Sequence, residues 1–380
     1  SLIVGSVRCV KETVPEVLSE YDPDTFYWPA SPSSGGSFDE PNDPNRGDVH
    51  YWEVWHGNKP FSEYRKYFFR YASEFGFQSF PSVKTLETVT DDPKELNPFS
   101  YVMEKHQRNY GGNGKIAKYM QAAYRYPENF SDFVYASQLL QADGIRYGVE
   151  HYRRNRGRCM GAIYWQLNDC WPVISWSSID YYGRWKALHY YAKRFFAPVM
   201  LSCEEQSWMT VEADMNRQHF EFEKSIRLNV TNETLDAHRV LVKWAVRKTD
   251  ATILREEEQW LEVPALSAVW MDKVELPQID CFNEYVSYEA WENDQIISQG
   301  TVIFSYPKYF HYLNPGLAVR VDGDEIVVKA EAYAKSVEIR NENDDLILED
   351  NYFDMNAGEY RVKILDGKPD GLKVRSVYDI

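Results

Sequence analysis

Glu74 is the residue whose type and position most clearly indicate chemistry. It lies within the stretch RYASEFGFQSFPS, among small and aromatic residues at the end of a predicted apolar strand. In a β/α barrel the carboxyl ends of the strands build the active site, so an acidic side chain at such an end favours catalysis. The alternative is that Glu74 forms a salt bridge with a nearby arginine such as Arg70.

A second stretch, GAIYWQLNDCWPVISWSSIDYYGRWKALHYY, adds an aromatic side chain flanked by hydrogen-bonding groups. Trp165 is predicted to lie at the end of the last barrel strand, with Gln166, Asn168 and Asp169 beside it. An indole presents a large apolar face, which suits the C–H face of a pyranose, while amides and carboxylates suit its hydroxyls. We therefore predict a sugar site here. Three other tryptophans are predicted to pack against helices instead: Trp171, Trp176 and Trp185.

Two further candidates lie in the stretch GDVHYWEVWHG, where His50 and Trp52 reach another predicted strand end. Each is interpreted either as a substrate contact or as a side chain that packs in the wall of the site. His50 and His56 lie close together on an aromatic segment, in a spacing that does not suit a shared metal ion. The sequence therefore predicts no metal centre.

The composition argues against several classes of protein. The 380 residues carry a formal net charge of −16, so we expect no binding to the phosphates of a nucleic acid. No apolar run approaches the ~20 residues that a membrane-spanning helix needs, and we expect no membrane contact. The five cysteines are scattered without a C-x-x-C pair, which predicts free thiols in a reducing compartment and hence a cytoplasmic protein.

One apparent motif does not have the required spacing. The stretch YGGNGK at residues 110–115 lacks the first glycine of a phosphate-binding loop at the right offset, and Ile116 follows Lys115 where that motif has Ser or Thr. We predict a flexible loop there. Neither a G-x-S-x-G nor an H-E-x-x-H pattern occurs in the sequence.

The pattern of apolar residues changes near Pro198. Before it, short apolar strands alternate with helical stretches, which predicts a parallel α/β sheet. The four predicted strands are FYWPAS, VHYWEVW, RYASEFG and MGAIYWQL. Beyond it the period is two, as in HRVLVKWAVRK and YVSYEAWEN, and VRVDGDEIVVKA places Asp322-Gly323 at a hairpin. Short strands with regular turn signals predict two immunoglobulin-like β-sandwiches.

Helical periodicity is clearest at residues 131–154. Four apolar residues recur there at near-helical spacing: Phe133, Leu139, Leu140 and Ile145. The stretches VKETVPEVLSEYDP and YGRWKALHYYAKRFF are also predicted to be helices.

Four of these stretches resemble the family 2 glycoside hydrolases, and most closely their β-mannosidase branch: YWPASPSSGG, GDVHYWEVWHG, SEFGFQSFPS and YWQLNDCWPVISWSSIDYYGRWKALHYYAKRFFAPV. The resemblance runs from about residue 12 to residue 200. It implies that Glu74 is the nucleophile of a retaining mechanism and that Trp165 lines the sugar site. It also implies that YWPASPSSGG, with Trp28, shapes the rim of the sugar pocket. The implied substrate is a β-mannoside or a manno-oligosaccharide, and no metal or organic cofactor is required.

The resemblance also implies the architecture, a multidomain α/β plus all-β protein. Residues 1–199 are expected to form the C-terminal half of a (β/α)8 TIM barrel, with strands five to eight. Residues 200–305 and 306–380 are expected to form the two immunoglobulin-like β-sandwich domains.

One group that a retaining glycosidase needs is missing from the predicted barrel. Such a mechanism uses two carboxyl groups ~5–5.5 Å apart, and the family's acid/base is a Glu in an Asn-Glu pair. The Asn-Glu pairs of this sequence all lie in the β-sandwich half: Asn232-Glu233, Asn283-Glu284 and Asn341-Glu342. Glu53 could substitute for the missing glutamate, but it lies inside a predicted aromatic strand. We therefore expect a C-terminal fragment that is inactive alone and that associates through its exposed half-barrel edges.

Two alternatives remain open at this point. One is another family 2 exo-β-glycosidase, acting on glucosamine, galactose or glucuronic acid. The other is a non-catalytic carbohydrate-binding protein that uses its aromatic residues only to hold sugar.

Overall fold

The first half of the chain folds around a small parallel sheet covered by helices. This computed structural model describes residues 12–35, 39–211 and 221–380. Residues 1–11, which include the first two residues of the helix predicted from VKETVPEVLSEYDP, lie outside the described residues. The elements of this half are α1 (Val14–Tyr21), β1 (Val49–His50), β2 (Ala72–Phe75), α2 (Val83–Leu86), α3 (Tyr101–Lys105), α4 (Gly112–Ala123), α5 (Phe130–Arg154), β3 (Ala162–Tyr164) and α6 (Ala187–Phe195).

The three strands run parallel in the order β1–β2–β3. His50 lies opposite Glu74 across the first pair, and Phe75 lies opposite Tyr164 across the second. Because parallel strands point the same way, their carboxyl ends meet at one edge of the sheet. That edge therefore carries His50, Glu74 and the residue after β3, Trp165.

Helix α5 is the main cover of this sheet, and the predicted helix at residues 131–154 is confirmed. Its first turn is capped by Asn129, whose Oδ1 accepts a hydrogen bond from the backbone N–H of Asp132 at 3.0 Å. Gly148 lets the helix approach β2 closely, since a Cβ there would lie 2.9 Å from the ring of Phe75. The four apolar residues that define the predicted helical face are all buried: Phe133, Leu139, Leu140 and Ile145.

Two of the four predicted strands differ from the structure. Residues 26–31, predicted as the strand FYWPAS, form no strand, because Pro29 and Pro32 lack the N–H that a sheet ladder needs. The strand predicted in VHYWEVW ends at His50, and the chain then turns, with the N–H of His56 donating to the carbonyl oxygen of Trp52 at 2.7 Å. The described sheet consequently has three strands, with β1 much shorter than predicted.

The prediction of a flexible loop in YGGNGK is wrong, because α4 begins within it at Gly112. Gly112 is buried, and a Cβ there would lie 2.7 Å from the side chains of Gln78 and Gln107. The residue before it, Gly111, has a φ of +70°, a conformation that favours glycine. The glycines therefore allow a tight helix start.

A first β-sandwich follows the helical half. Its sheets have the strand orders β4–β5–β8, with β9 also pairing with β5, and β11–β10–β6–β7, and all pairs are antiparallel. The predicted alternation in HRVLVKWAVRK is confirmed, since Val240, Val242, Trp244 and Val246 are all in its core. The strands are β4 (Val199–Gln206), β5 (Ser225–Asn232), β6 (His238–Lys248), β7 (Ile253–Val263), β8 (Ser267–Trp270), β9 (Val274–Glu275), β10 (Glu284–Glu292) and β11 (Gln295–Ile303).

A second β-sandwich completes the chain. Its sheets have the orders β12–β13–β17–β15 and β16–β14–β18. The predicted hairpin is confirmed, because Asp322 pairs with Glu325 and the turn between them includes Gly323 at a φ of +67°. The strands are β12 (Ala318–Asp322), β13 (Glu325–Ala330), β14 (Ala334–Arg340), β15 (Ile347–Leu348), β16 (Phe353–Met355), β17 (Gly358–Asp366) and β18 (Lys373–Arg375).

Both sandwiches pack against the helical half. Arg65 donates to a carboxylate oxygen of Glu205 in β4 at 2.7 Å, and Arg375 in β18 donates to Asp132 in α5 at 2.9 Å. Buried side chains of α5, α6 and the second sandwich form one continuous apolar cluster. The protein is thus a mostly β, multidomain fold. No helix in the described ranges is long and apolar enough to cross a membrane.

Candidate active site

Glu74 lies at the carboxyl end of β2 between an indole and an imidazole. Its Oε1 accepts a hydrogen bond of 2.9 Å from Nε1 of Trp52, and its Oε2 lies 3.6 Å from Nδ1 of His50. The side chains of His50 and Glu74 are 22% and 24% exposed, so a ligand can reach them. Within the described ranges no ion pair joins Glu74 to Arg70, and the salt-bridge alternative is not observed.

The backbone explains why these groups converge. His50 ends β1, and the N–H of the next residue, Tyr51, donates to the carbonyl oxygen of Glu74 at 2.8 Å. This bond continues the parallel register for one residue, which holds His50 beside Glu74. Trp52 packs edge-to-face against Trp176, with ring centroids 6.0 Å apart. His50 and Trp52 therefore contact the candidate nucleophile, and Trp52 also packs in the wall.

Gly76 allows the strand ends to approach each other. A Cβ at Gly76 would lie 2.3 Å from the carbonyl oxygen of Trp165, 3.0 Å from the ring of Trp52 and 3.1 Å from that of Trp176. Contacts below 3.0 Å with backbone are not tolerated, so a side chain here would displace the end of β3. Gly76 thus brings Trp165 and Trp52 to the same edge as Glu74.

The loop after β3 contains both solvent-exposed and buried residues. Trp165 is 45% exposed, and its N–H donates to the carbonyl oxygen of Phe75 at 2.8 Å. Asn168 is also exposed. These two residues, predicted as sugar contacts, are accessible at the open edge of the sheet.

Asp169, also predicted as a sugar contact, is 7% exposed, and its carboxylate is occupied by its own chain. Oδ1 accepts hydrogen bonds from Ser175 at 2.7 Å and from Gln166 at 3.1 Å, and Oδ2 accepts one from Ser177 at 2.5 Å. A carboxylate with these partners holds the loop that carries Trp165. The structure therefore does not bring Asp169 to the open side.

A buried lysine lies under the same loop. Lys186 is 1% exposed, and its Nζ lies 3.4 Å from the carbonyl oxygens of Ser79 and Ser175. Burial lowers the pKa of Lys186 to about 8, although the nearby carboxylates of Asp169 and Asp180 act in the opposite direction. A poorly solvated ammonium group therefore lies beneath this loop, and its burial disfavours the charged form.

Asp48, which the sequence patterns did not indicate, organises the other side of the site. It is buried just before β1, and its Oδ2 accepts hydrogen bonds of 2.5 Å from Ser31 and 2.5 Å from Ser73. Its Oδ1 accepts bonds from Nε1 of Trp28 at 3.0 Å and from the N–H of Ser33 at 2.9 Å. Burial alone would raise the pKa of Asp48, but these hydrogen bonds hold it below its ordinary value.

These bonds fix the loop that contains Trp28 at the edge of the sheet. Trp28 binds Asp48, and no contact joins it to Glu74 within the described residues. The available signal in the sequence was an Asp immediately before a strand, in GDVH, together with a Ser immediately before Glu74. Neither residue identifies its partner without the fold.

A second carboxylate for acid–base catalysis is not found beside Glu74 in the part of the chain that the structure describes. Glu53 is exposed in the turn after Trp52. The three Asn-Glu pairs lie at the end of β5, at the start of β10 and after β14. The described ranges also contain no group of three or more His, Cys, Asp or Glu side chains that could hold a metal ion.

Two family models match the β-sandwich half. Residues 224–309 match a mannosidase Ig/CBM-like domain, and residues 312–380 match an Ig-fold domain of mannosidases.

Curated relatives extend over nearly the whole chain. Beta-mannosidase B of Aspergillus terreus is 28% identical, over 94% of this chain and 43% of that protein. Beta-mannosidase B of Thermothelomyces thermophilus is 30% identical, over 96% of this chain and 45% of that protein. The chain thus spans less than half the length of these relatives.

Solved structures show the same relation. A beta-D-mannosidase from Dictyoglomus thermophilum superimposes with a TM-score of 0.83 at 27% identity, over 97% of this chain and 44% of that one. An exo-chitosanase from Amycolatopsis orientalis gives a TM-score of 0.58 at 16% identity, over 84% of this chain and 45% of that one, which indicates a shared fold only. The family models, the curated relatives and this structural neighbour agree: the chain matches the C-terminal portion of the β-mannosidases.

Proposed function

We propose that this chain is the part of a retaining exo-β-mannosidase that carries the nucleophile, Glu74. The observation that carries the proposal is the position of the carboxylate at a parallel strand end, held between Trp52 and His50 yet 24% exposed. The names of the relatives, beta-mannosidase B and beta-D-mannosidase, support terminal β-D-mannosyl residues as the substrate.

In the proposed reaction, Glu74 attacks the anomeric carbon, the glycosidic bond breaks and a glycosyl-enzyme forms. Water then releases the sugar with retained configuration. The hydrogen bond from Trp52 fixes one oxygen of the carboxylate, which orients Glu74 for the attack. No metal or organic cofactor is needed for these steps.

A second carboxyl group must protonate the leaving oxygen and later activate water. We propose that a glutamate in the remainder of a β-mannosidase polypeptide supplies it, because no second carboxylate of the described residues contacts Glu74. Loss of such assistance costs ~10²–10⁴ in rate. The isolated chain is therefore expected to have little or no hydrolase activity.

We further propose that the parallel sheet and its helices are the C-terminal half of a (β/α)8 barrel, with domain boundaries at 1–199, 200–305 and 306–380. Among the described strands, β1 and β3 each pair on one side only. Large apolar side chains in β3 or next to it are exposed: Met160, Ile163 and Leu167. Unpaired edges and exposed apolar surface favour association, so we expect the isolated chain to self-associate there.

In this proposal the mannosyl ring stacks on Trp165 and contacts Trp52 and His50. Trp28 and Asn168 lie at the rim, and Asp169 holds the loop from below. An exposed indole at the same sheet edge as a partly exposed carboxylate suits a sugar with one apolar face.

A cytoplasmic location remains a proposal that rests on the cysteines. The four cysteines in the described ranges are free thiols: Cys159, Cys170, Cys203 and Cys281. Free thiols are typical of reducing compartments. We likewise expect neither a nucleic acid nor a membrane as partner, on the net charge of −16 and the composition.

The test is to trap the glycosyl-enzyme. A 2-deoxy-2-fluoro-β-mannosyl fluoride carries its own leaving group and reports the nucleophile directly. The complete polypeptide that contains this chain is treated with this reagent, digested and mapped by mass spectrometry. We expect the fluoromannosyl mass on the peptide that contains Glu74, no label in Glu74→Gln, and normal labelling in the control Glu53→Gln. A label on any other carboxylate refutes the assignment.

Two further measurements separate the alternatives. A panel of aryl β-glycosides distinguishes a mannosidase from a glucosaminidase, galactosidase or glucuronidase, because the pocket should prefer one epimer by a large factor. Calorimetry with manno-oligosaccharides identifies a binding protein if it detects affinity while the complete polypeptide shows no turnover.

A further inference from the structure

Four side chains form a continuous row that ends at the nucleophile. Ser31 Oγ lies 2.5 Å from Oδ2 of Asp48 and 2.9 Å from Nε2 of His50. On the other side of the imidazole ring, Nδ1 lies 3.6 Å from Oε2 of Glu74. The order along the row is therefore Asp48, Ser31, His50 and Glu74.

The first two members decide where the hydrogen atoms lie. An ionised carboxylate only accepts hydrogen bonds, whereas a hydroxyl has a single hydrogen to donate. Burial opposes ionisation of Asp48, but its hydrogen bonds hold its pKa below the ordinary value, so it is ionised at neutral pH. Ser31 must therefore donate its hydrogen to Asp48.

The rest of the row follows from that donation. Ser31 Oγ has only lone pairs left for His50, so Nε2 must carry the hydrogen of this contact. Ser73 Oγ lies 3.3 Å from Ser31 Oγ, but its single hydrogen is donated to Oδ2 of Asp48 at 2.5 Å, so Ser73 does not change the hydrogen that Ser31 offers to His50. Trp28 and the N–H of Ser33 occupy Oδ1, so donors surround both oxygens of this carboxylate.

We propose that Asp48 is a positioning residue which, through Ser31, holds the hydrogen of the neutral His50 ring on Nε2 and leaves the unprotonated Nδ1 facing Glu74. The charged groups that face the ring are Glu74 and, through Ser31, Asp48. The catalytic meaning of this order rests on the proposed function, whereas the proton order itself does not.

A purely structural role for Asp48 makes a different prediction. It would require only that the loop carrying Trp28 stay attached, which an asparagine can do through the same Oδ1. In Asp48→Asn, that oxygen still accepts from Trp28 and Ser33, so the new NH₂ group points at Ser31. Ser31 then accepts from the amide and must donate to Nε2 of His50. The hydrogen of the neutral ring moves to Nδ1, while the attachment of the loop is kept.

The readout is the ¹⁵N spectrum of the histidine rings in the full chain, labelled with [¹⁵N]histidine, at a pH of about 9 where an imidazole is ordinarily neutral. The chain has 8 histidines, and His50 is assigned by the signals that disappear in His50→Gln. We expect Nε2 to be the protonated nitrogen in the wild type and Nδ1 in Asp48→Asn. Ser31→Ala should move the ring toward the same Nδ1 form, because Glu74 is then its remaining acceptor.

Ser73→Ala is the matched control, because it removes an equally short bond to Asp48 without touching His50. It should keep the wild-type pattern. The proposal is overturned if Ser31→Ala retains Nε2 protonation, or if Ser73→Ala shifts the ring as much as Ser31→Ala does. Ser31→Ala leaves the bonds of Asp48 to Trp28 and Ser33 intact, so it decides the matter even where Asp48→Asn fails to fold. No sugar takes part, so these spectra and the labelling of Glu74 fail independently.

Discussion

Replacement of Lys186 by methionine is expected to stabilise the chain at neutral pH. Its ammonium is buried and lies 3.4 Å from the carbonyl oxygens of Ser79 and Ser175. These two carbonyl groups also accept backbone hydrogen bonds from each other's residues, so they keep partners in the variant. Burial lowers the pKa of Lys186 from 10.5 to about 8 despite the nearby Asp169 and Asp180. The folded protein therefore holds the charged form less readily than the unfolded chain does.

The magnitude follows from these two pKa values. Each tenfold change in the acidity constant corresponds to ~1.4 kcal/mol, so the difference between 10.5 and about 8 amounts to about 3 kcal/mol. Between these values the unfolded chain binds more protons, so the contribution of Lys186 to the free energy of unfolding rises with pH. It is greatest above 10.5 and is lost as the pH falls through 8. At pH 7 the buried charge costs the full amount.

Urea unfolding at a pH of about 7 and of about 10 measures the cost of the buried charge and its change with pH. We expect Lys186→Met to exceed the wild type in free energy of unfolding by up to about 3 kcal/mol at the lower pH, with a smaller difference at the higher one. Lys193→Met is the matched control, because that side chain is 53% exposed and should change stability by less than ~0.5 kcal/mol. A methionine variant less stable than the wild type at neutral pH refutes the reasoning, since attraction to Asp169 and Asp180 would then outweigh burial.

Glu205→Gln should lower the free energy of unfolding in urea by ~3–5 kcal/mol, because it leaves Arg65, whose side chain is only 13% exposed, without its charge partner. Glu257→Gln, at an exposed ion pair, should lower it by less than ~1 kcal/mol. Equal losses in the two variants would contradict the burial argument. Gly76→Ala should reduce labelling by the fluoromannosyl reagent in the complete polypeptide, because its Cβ would meet the carbonyl oxygen of Trp165 at 2.3 Å. Gly114→Ala, with no atom within 4 Å of the new methyl group, should label normally; normal labelling of both variants would show that the strand end adjusts without loss of the site.

The regular elements could be predicted where packing follows the period of the chain. Val240, Val242 and Trp244 alternate in sequence and share one core face, because successive side chains of a strand point to opposite sides. The same argument gave α5 to within a residue at its start. A strand was wrongly predicted for FYWPAS, whose aromatic content resembles that of a strand, because Pro29 and the following Pro32 prevent pairing.

Only the site residues that lie at the end of a predicted strand could be predicted from the sequence. Glu74 and Trp165 follow apolar strands, so their shared edge is a consequence of parallel pairing. The bonds of Asp48 to Ser31 and Ser73 join residues 17 and 25 positions away, and no period in the sequence encodes such contacts. For the same reason Asp169 could not be distinguished from a residue that is accessible to sugar, since its burial depends on two serines that follow it in the loop.

The contact between β18 and α5 has a consequence for synthesis. Arg375 binds Asp132, a residue made 243 positions earlier. A ribosome delivers the amino-terminal segment first, so during translation this end of the long helix lacks its clasp, the ion pair with Arg375, until a further 243 residues have been added. A nonsense mutation just ahead of Arg375 would leave every residue around Glu74 translated, yet it would release the nascent protein with that clasp missing.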